Sequence, residues 1–291
     1  MKILLLGKNG QLGSDIFGFI SKNGQLAEQI ALTRDELDVA ELFELEQRLL
    51  ALDFDILINC TSIHKTDDIE ENADMAFTVN AKAVMLMAKV SKIKNAKFIH
   101  FSTDYVFGGN AYVDPITETV PCAPINIYGA SKALGEQFAL MAHRQTFIIR
   151  VASLFGIRGA SGKGGNFIET MIRLVKERDT VKVVSDQIMS PTYTADITEV
   201  VCKGIFNNMK PGIYHIVNSG SCSWYELSKY VANKLGSECN IVSCSSDEFK
   251  SVAMRPTYSV LDNSKITSLV GNIPTWQNAV DRYLVAKGHT S

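Results

Sequence analysis

Short apolar runs punctuate the first half of the chain. They fall at Ile3-Leu4-Leu5-Leu6, Gln29-Ile30-Ala31-Leu32, Asp55-Ile56-Leu57-Ile58-Asn59, Lys97-Phe98-Ile99-His100-Phe101 and Thr146-Phe147-Ile148-Ile149-Arg150. Runs that are apolar at successive rather than alternate positions predict strands buried on both faces, as in a parallel sheet. Between them, over roughly 11–21, 41–52, 75–91 and 128–143, apolar residues recur at three- and four-residue intervals, which predicts helices with one buried face. Strand and helix alternate, so this half reads as repeated β-α units with right-handed crossovers. After Phe155 the texture changes: Gly156, Gly159, Gly162, Gly164 and Gly165 break any regular element and predict a flexible crossing or lid. Beyond it, helices are expected over about 167–176, 195–206 and 224–235, and strands over 181–184 and 214–217. The expectation is an α/β protein with a Rossmann-type, doubly wound parallel sheet. That sheet would occupy residues 1–155, with a segment of about 188–217 returning to it, while 156–187 and 218–291 form a smaller C-terminal domain.

Composition narrows the partners. The chain has 291 residues, 46% hydrophobic, with 29 Lys and Arg against 31 Asp and Glu. This balance supplies no broad positive field for nucleic acid or anionic membrane, so any polyanionic ligand must be met by a local site. The cysteines Cys60, Cys122, Cys202, Cys222, Cys239 and Cys244 contain no C-x-x-C pair, and the histidines no H-x-x-x-H, so no metal site is predicted. Scattered thiols read as reduced, and the four-residue run Ile3–Leu6 is too short for a signal-peptide core; a cytoplasmic protein is expected.

The candidate chemistry starts where the first strand ends. Gly7-Lys8-Asn9-Gly10-Gln11-Leu12-Gly13 follows that strand and opens a helix, the context of a dinucleotide-binding turn. Its glycines permit a tight turn, let a pyrophosphate reach backbone N–H groups, and let helix and strand pack closely, although they would also suit a plain strand-helix corner. At the end of the second strand, where a carboxylate would select a free ribose 2′-OH, the chain reads Thr33-Arg34. A hydroxyl and a guanidinium can accept a 2′-phosphate, so NADP(H) is favoured, with NAD(H) as a second possible cofactor; pairing of Arg34 with Asp35 or Glu36 is the competing reading. Tyr128 and Lys132 stand four apart at a helix start, hence on one face, where an ammonium can lower the tyrosine pKa and make it an acid or base. Such pairs also occur on solvated helix faces. Ser102 and Thr103 end the fourth strand, the end at which open parallel sheets bind ligands.

Taken in this order, these motifs resemble the extended short-chain dehydrogenase/reductases and, more narrowly, the dTDP-4-dehydrorhamnose reductase family. The likeness continues through Ser102-Thr103-Asp104-Tyr105-Val106-Phe107, Asn126 to Lys132, Gly165-Asn166-Phe167, Asp186-Gln187, Pro191-Thr192 and Arg255-Pro256. It implies NADPH-dependent reduction of the C4 ketone of a nucleotide-linked sugar, with Thr103, Tyr128 and Lys132 as the catalytic set. The resemblance also implies a cofactor site of Gly7, Asn9, Gly10, Gln11, Leu12, Gly13, Thr33 and Arg34, joined by Asp38, Val39, Cys60, Thr61, Ser62, Asn80, Tyr128 and Lys132. Thr103, Asp104, Val106, Asn166, Gln187 and Arg255 would line the sugar-nucleotide pocket, with Arg255 facing the diphosphate, and the smaller domain would be the sugar-nucleotide-binding one. The chain departs from the family pattern at Val151-Ala152-Ser153, where an aromatic is expected at the last position, at Cys60-Thr61-Ser62-Ile63, and at Met189-Ser190. A nucleotide-sugar epimerase is the second enzymatic reading. A non-catalytic subunit, like the regulatory β subunit of methionine adenosyltransferase, is a third, and a homodimer is a possible assembly.

Overall fold

In the computed structural model, residues 1–23, 27–159, 165–206 and 209–290 are described. Gly162 and Gly164 of the glycine-rich crossing lie outside these residues. The first half alternates as its periodicity predicts. Strand β1 (Lys2–Leu6) leads through α1 (Gln11–Lys22) to β2 (Glu28–Leu32), then α2 (Leu42–Ala51) and β3 (Ile56–Asn59). Short helices α3 (Thr66–Glu71) and α4 (Ala73–Phe77) precede α5 (Ala83–Ile93) and β4 (Lys97–Thr103); α6 (Ile127–Ala142) and β5 (Thr146–Val151) follow. Next come β6 (Leu154–Phe155), α7 (Phe167–Glu177), β7 (Thr180–Val184), β8 (Ile188–Met189), β9 (Thr192–Tyr193), α8 (Thr194–Phe206) and β10 (Gly212–His215). The chain ends with β11 (Cys222–Ser223), α9 (Trp224–Lys234), β12 (Asn240–Cys244), α10 (Ser264–Val270) and α11 (Trp276–Ala286).

Six strands form one sheet in the order β10-β5-β4-β3-β1-β2, and every pairing in it is parallel. The apolar runs work on both faces. Ile3 and Leu5 of β1 point with Ile56, Ile58, Ile99, Phe147 and Ile149 toward Leu12 and Ile16 of α1 and Ile197 and Val201 of α8. Leu4 and Leu6 point the other way, with Leu57, Phe98 and Ile148, onto Leu45 and Leu49 of α2 and Val84 and Met87 of α5. Truncating one of these fully buried side chains to Ala costs about 2–5 kcal/mol. The chain leaves β1 for β2 on one side and for β3, β4 and β5 on the other, so the strand order reverses at β1, the place where doubly wound sheets open a crevice at their carboxyl ends.

The helix expected over 75–91 is not uniform. Thr78–Lys82 forms a π-helical turn between α4 and α5 and carries the buried Asn80. An amide there needs partners inside the protein. Asn80 finds them in the backbone N–H and C=O of Ile63 at 3.0 Å each and in the Ser131 hydroxyl at 3.0 Å. The π turn thereby ties the loop after β3 to α6. A second tie is ionic: the buried Arg150 of β5 donates to Glu136 of α6 at 2.6 Å, and its flanking donor approaches His215 of β10 at 3.3 Å. Such a pair adds little net stability, yet either partner alone would be an unmatched buried charge, so the pair holds α6 in one position on the sheet.

Outside the main sheet three small pairs occur among the described residues: β6 with β9, β8 with β11, and β7 with β12. Helices α7, α9 and α11 close over an aromatic cluster that includes Phe155, Tyr193, Trp276 and Tyr283.

Candidate active site

The glycine turn takes the form its spacing predicts. Gly7 has φ 84°, a left-handed conformation open to glycine, and its N–H bonds the Leu32 carbonyl at 2.9 Å. Gly10 N–H bonds back to the Gly7 carbonyl at 3.0 Å. A Cβ on Gly13 would strike that same carbonyl, so no side chain fits where α1 crosses the turn. Gly10 caps α1 without any side-chain hydrogen bond, which leaves the first amides of the helix to whatever binds in front of them.

These groups open onto a cavity of about 710 Å³ that runs from the turn to the end of β4, the start of α6 and the smaller cluster around α7 and α9. Of the expected cofactor residues, Gly7, Asn9, Gly10, Gln11, Leu12, Thr33, Arg34, Asp38, Val39, Cys60, Thr61, Ser62, Tyr128 and Lys132 all line it. Gly13 stands behind the turn, and Asn80 lies one layer back, accepting from the Ser62 hydroxyl at 3.2 Å. A dinucleotide fits this lining. The buried Ser102 hydroxyl on the cavity wall has no hydrogen-bond partner, and the helix start in front of Gly10 is uncapped.

The Thr33-Arg34 corner differs in detail. Arg34 pairs with Asp38 at 3.0 Å, not with Asp35 or Glu36, because the two lie one turn apart across the loop. Glu36 instead accepts from the Thr33 N–H and hydroxyl at 2.8 and 2.9 Å and draws Lys8 to 3.2 Å. Those bonds hold the Glu36 carboxyl below its usual range. Arg34 is largely exposed, and a surface pair of this kind is weak enough for a phosphate to displace.

At the other end, Tyr128 and Lys132 sit on one face of α6 beside Thr103 and Asp104. Asn126 caps this helix, its Oδ1 accepting from Gly129 N–H at 2.7 Å. Burial pushes the Tyr128 hydroxyl up to about 12, while hydrogen bonding to Thr103 and Ser62 works the other way. The expected effect of Lys132 on Tyr128 is absent in this conformation. The Lys132 Nζ turns to the Phe101 carbonyl at 2.5 Å and to His100 Nε2 at 3.1 Å, since a fully buried amine takes the nearest polar partners. Burial brings Lys132 down to about 8. Thr103 donates to Asp104 Oδ1 at 2.9 Å and accepts from Tyr105 N–H at 3.2 Å, and burial raises the Asp104 carboxyl to about 6.

The pocket residues inferred for the sugar nucleotide divide. Thr103, Asp104, Asn166 and Arg255 line the cavity. Asn166 also caps α7 through Glu169 N–H at 3.1 Å and donates to the Tyr283 hydroxyl at 2.9 Å. Arg255 reaches the cavity while bonded to Asp67 at 2.9 Å. Val106 does not line it: its side chain is buried with Phe107, Ile116, Ala152, Val217 and Leu261. Gln187 does not line it either, since it lies in the link between β7 and β8, beside an Asp186 that braces Ser245 and Ser246. The sequence reading missed an apolar wall of Phe155, Phe167, Ile168, Trp224 and Leu227, in which the Phe167 and Trp224 rings lie 4.5 Å apart. One signal was present: Ser223 and Glu226 form a capping box that marks the start of α9 at Trp224. Ser153, where an aromatic was expected, lines the cavity at φ 43°.

The family model described as "RmlD substrate binding domain" matches residues 1–288. The chain belongs to that family. Among its relatives, the spore coat polysaccharide biosynthesis protein SpsK of Bacillus subtilis is 36% identical over 97% of this chain and 96% of its own. The dTDP-4-dehydrorhamnose reductase of Escherichia coli is 33% identical over 98% of this chain and 97% of its own. A solved dTDP-4-dehydrorhamnose reductase from Bacillus anthracis, in complex with NADP, is 35% identical and superposes with a TM-score of 0.90 over 98% of this chain and 99% of its own. In the family member described here, no helix among the described residues is long and apolar enough to cross a membrane.

Proposed function

We propose that this protein is an NADPH-dependent oxidoreductase that reduces the C4 ketone of a nucleotide-linked 6-deoxy sugar, dTDP-4-dehydro-L-rhamnose to dTDP-L-rhamnose. One observation carries the reading: the uncapped glycine turn and the group Thr103, Tyr128 and Lys132 open onto one cavity of about 710 Å³. Family membership and the NADP held by the Bacillus anthracis relative support it.

Asn9, Gln11 and Leu12 would hold the pyrophosphate on backbone N–H groups, with Gly7 and Gly10 shaping the turn beneath it, and Arg34 would exchange Asp38 for the 2′-phosphate. Asp38 and Val39 would border the adenine, and Cys60, Thr61 and Ser62 the stretch between. Bound NADPH supplies the hydride for C4. Tyr128, protonated at neutral pH as any tyrosine is and held further so by burial, which raises it to about 12, donates its hydroxyl proton to O4 as charge develops there. Thr103 hydrogen-bonds the reacting oxygen, and Lys132, once turned from His100, positions the ribose and restrains the Tyr128 pKa. On the sugar-nucleotide side, Arg255 would release Asp67 to meet the diphosphate, while Asp104 and Asn166 offer oxygen and amide partners to the sugar. Assaying NADPH oxidation against dTDP-, UDP-, GDP- and CDP-linked 4-keto sugars tests this reading. Turnover confined to a dTDP-linked 6-deoxy sugar supports it, and no NADPH consumption with any of them overturns it.

A further inference from the structure

Lys132 is held by an ordered chain of hydrogen bonds whose direction can be read from a single fixed donor. Thr61 backbone N–H can only donate, and it bonds Asn59 Oδ1 at 2.9 Å. The Thr61 hydroxyl bonds the same oxygen at 2.6 Å. The Asn59 amide is therefore oriented, and its Nδ2, a donor only, faces His100 Nδ1 at 3.1 Å. That ring nitrogen must accept. A neutral imidazole then carries its one proton on Nε2, and this N–H points at Lys132 Nζ at 3.1 Å. An ammonium has no lone pair with which to accept it. An amine does, and it still has a hydrogen to donate to the Phe101 carbonyl.

We propose that Asn59 and His100 are positioning residues that hold Lys132 as an uncharged amine in this conformation, and that Lys132 takes up one proton when it turns from His100 to a bound dinucleotide. The proposal rests on the reading of the cavity as a dinucleotide site. Asn59 and His100 are both fully buried, and the interior disfavours charge on either ring or amine. Two groups act the other way, Glu136 on the same helix and Cys60 just after β3, but Glu136 is already bound to Arg150 and burial keeps Cys60 a neutral thiol. Asp104, after β4, acts on Tyr128 and Tyr105 instead. Association and dissociation of a proton at one nitrogen would thus accompany cofactor entry and exit, with the proton drawn from solvent and the charge appearing where the bound ribose and Tyr128 can use it.

The 15N spectrum of the His100 ring tests the first half without any ligand. We expect protonated Nε2 and bare Nδ1 at pH 8.5; an Nδ1–H ring or an imidazolium overturns the proposal. Calorimetry of NADPH binding at pH 8.5, in buffers of different ionisation enthalpy, tests the second half. We expect uptake of close to one proton per NADPH bound in the wild type and close to none in Asn59→Asp. A carboxylate at that position accepts from His100 Nδ1–H, inverts the ring, and lets Nε2 accept from a standing ammonium. NADPH binding with no proton uptake in the wild type overturns the proposal. Failure to bind NADPH at all, with His100 in the expected tautomer, overturns the dinucleotide reading instead.

Discussion

The two ends of the cavity are built differently. At the glycine turn, Gly7, Asn9, Gly10, Gln11 and Leu12 form the surface with the loop after β2, and the donors of the turn belong to the backbone. At the Tyr128 end, the surface is assembled from side chains on β4, α6, the turn before β6, α7, α9 and the segment around Arg255. A backbone site is fixed by local geometry, so it tolerates changes of side chain and fails when a Cβ is added. A side-chain site is tuned by burial, so its weak points are protons and charges.

Tyr128→Phe should separate the two ends most sharply. Removing the one acid at the reacting end should lower kcat by about 100-fold to 10,000-fold. The Kd for NADPH, set at the other end, should stay within about twofold, and equilibrium titration by NADPH fluorescence checks this. Gly13→Ala is the reciprocal change. Its methyl meets the Gly7 carbonyl, so α1 must shift, and we expect about 3 kcal/mol lost from folding together with NADPH affinity. Urea denaturation and the same titration read both; an unchanged protein would mean the helix does not cross the turn as described.

Asp104 probes the reacting end by pH. Its carboxyl is raised to about 6 by burial, so the stability it contributes is present below its ordinary range near 4 and lost as pH rises through about 6. Asp104→Asn cannot ionise. Relative to wild type it should gain about 2 kcal/mol between pH 4 and pH 8, read as the difference between urea midpoints at the two pH values. A pH-independent difference would place Asp104 in a wetter setting than the one seen. The smallest effect is expected at the exposed rim of the backbone site: Arg34→Ala should raise the KM for NADPH about tenfold and leave that for NADH nearly unchanged, the loss of one charge-assisted contact. Equal effects on both would remove Arg34 from 2′-phosphate recognition.

The same contrast explains what could be read from the sequence. The five apolar runs and the G-x-x-G-x-x-G turn are local signals, and each became a strand or the strand-helix corner in the place expected. Tyr128, Lys132 and Thr103 were legible because a short spacing or a strand end put them together, and Asp104 through the family resemblance. What Lys132 touches was not, since His100 sits 32 residues away on β4 and only the sheet brings them into contact. Val106 and Gln187 failed as cavity residues for the same reason: Tyr105 beside Val106 lines the site and Asp186 beside Gln187 braces Ser245 and Ser246, but one of the two side chains falls into a buried cluster and the other lies in a link outside the cavity. Trp224 and Phe167 meet across α7 and α9, so neither helix alone announces the wall they form. The π turn at Thr78–Lys82 likewise follows from Asn80 needing Ile63 and Ser131, partners that no periodicity encodes.

Hydride transfer is the central claim, and it can be followed atom by atom. Incubating the protein with dTDP-4-dehydro-L-rhamnose and NADPH deuterated at the transferable C4 position of the nicotinamide should give dTDP-L-rhamnose carrying one deuterium at the sugar C4, with one NADPH oxidised per product. Product lacking that deuterium, or conversion of the sugar with NADPH left intact, would contradict it.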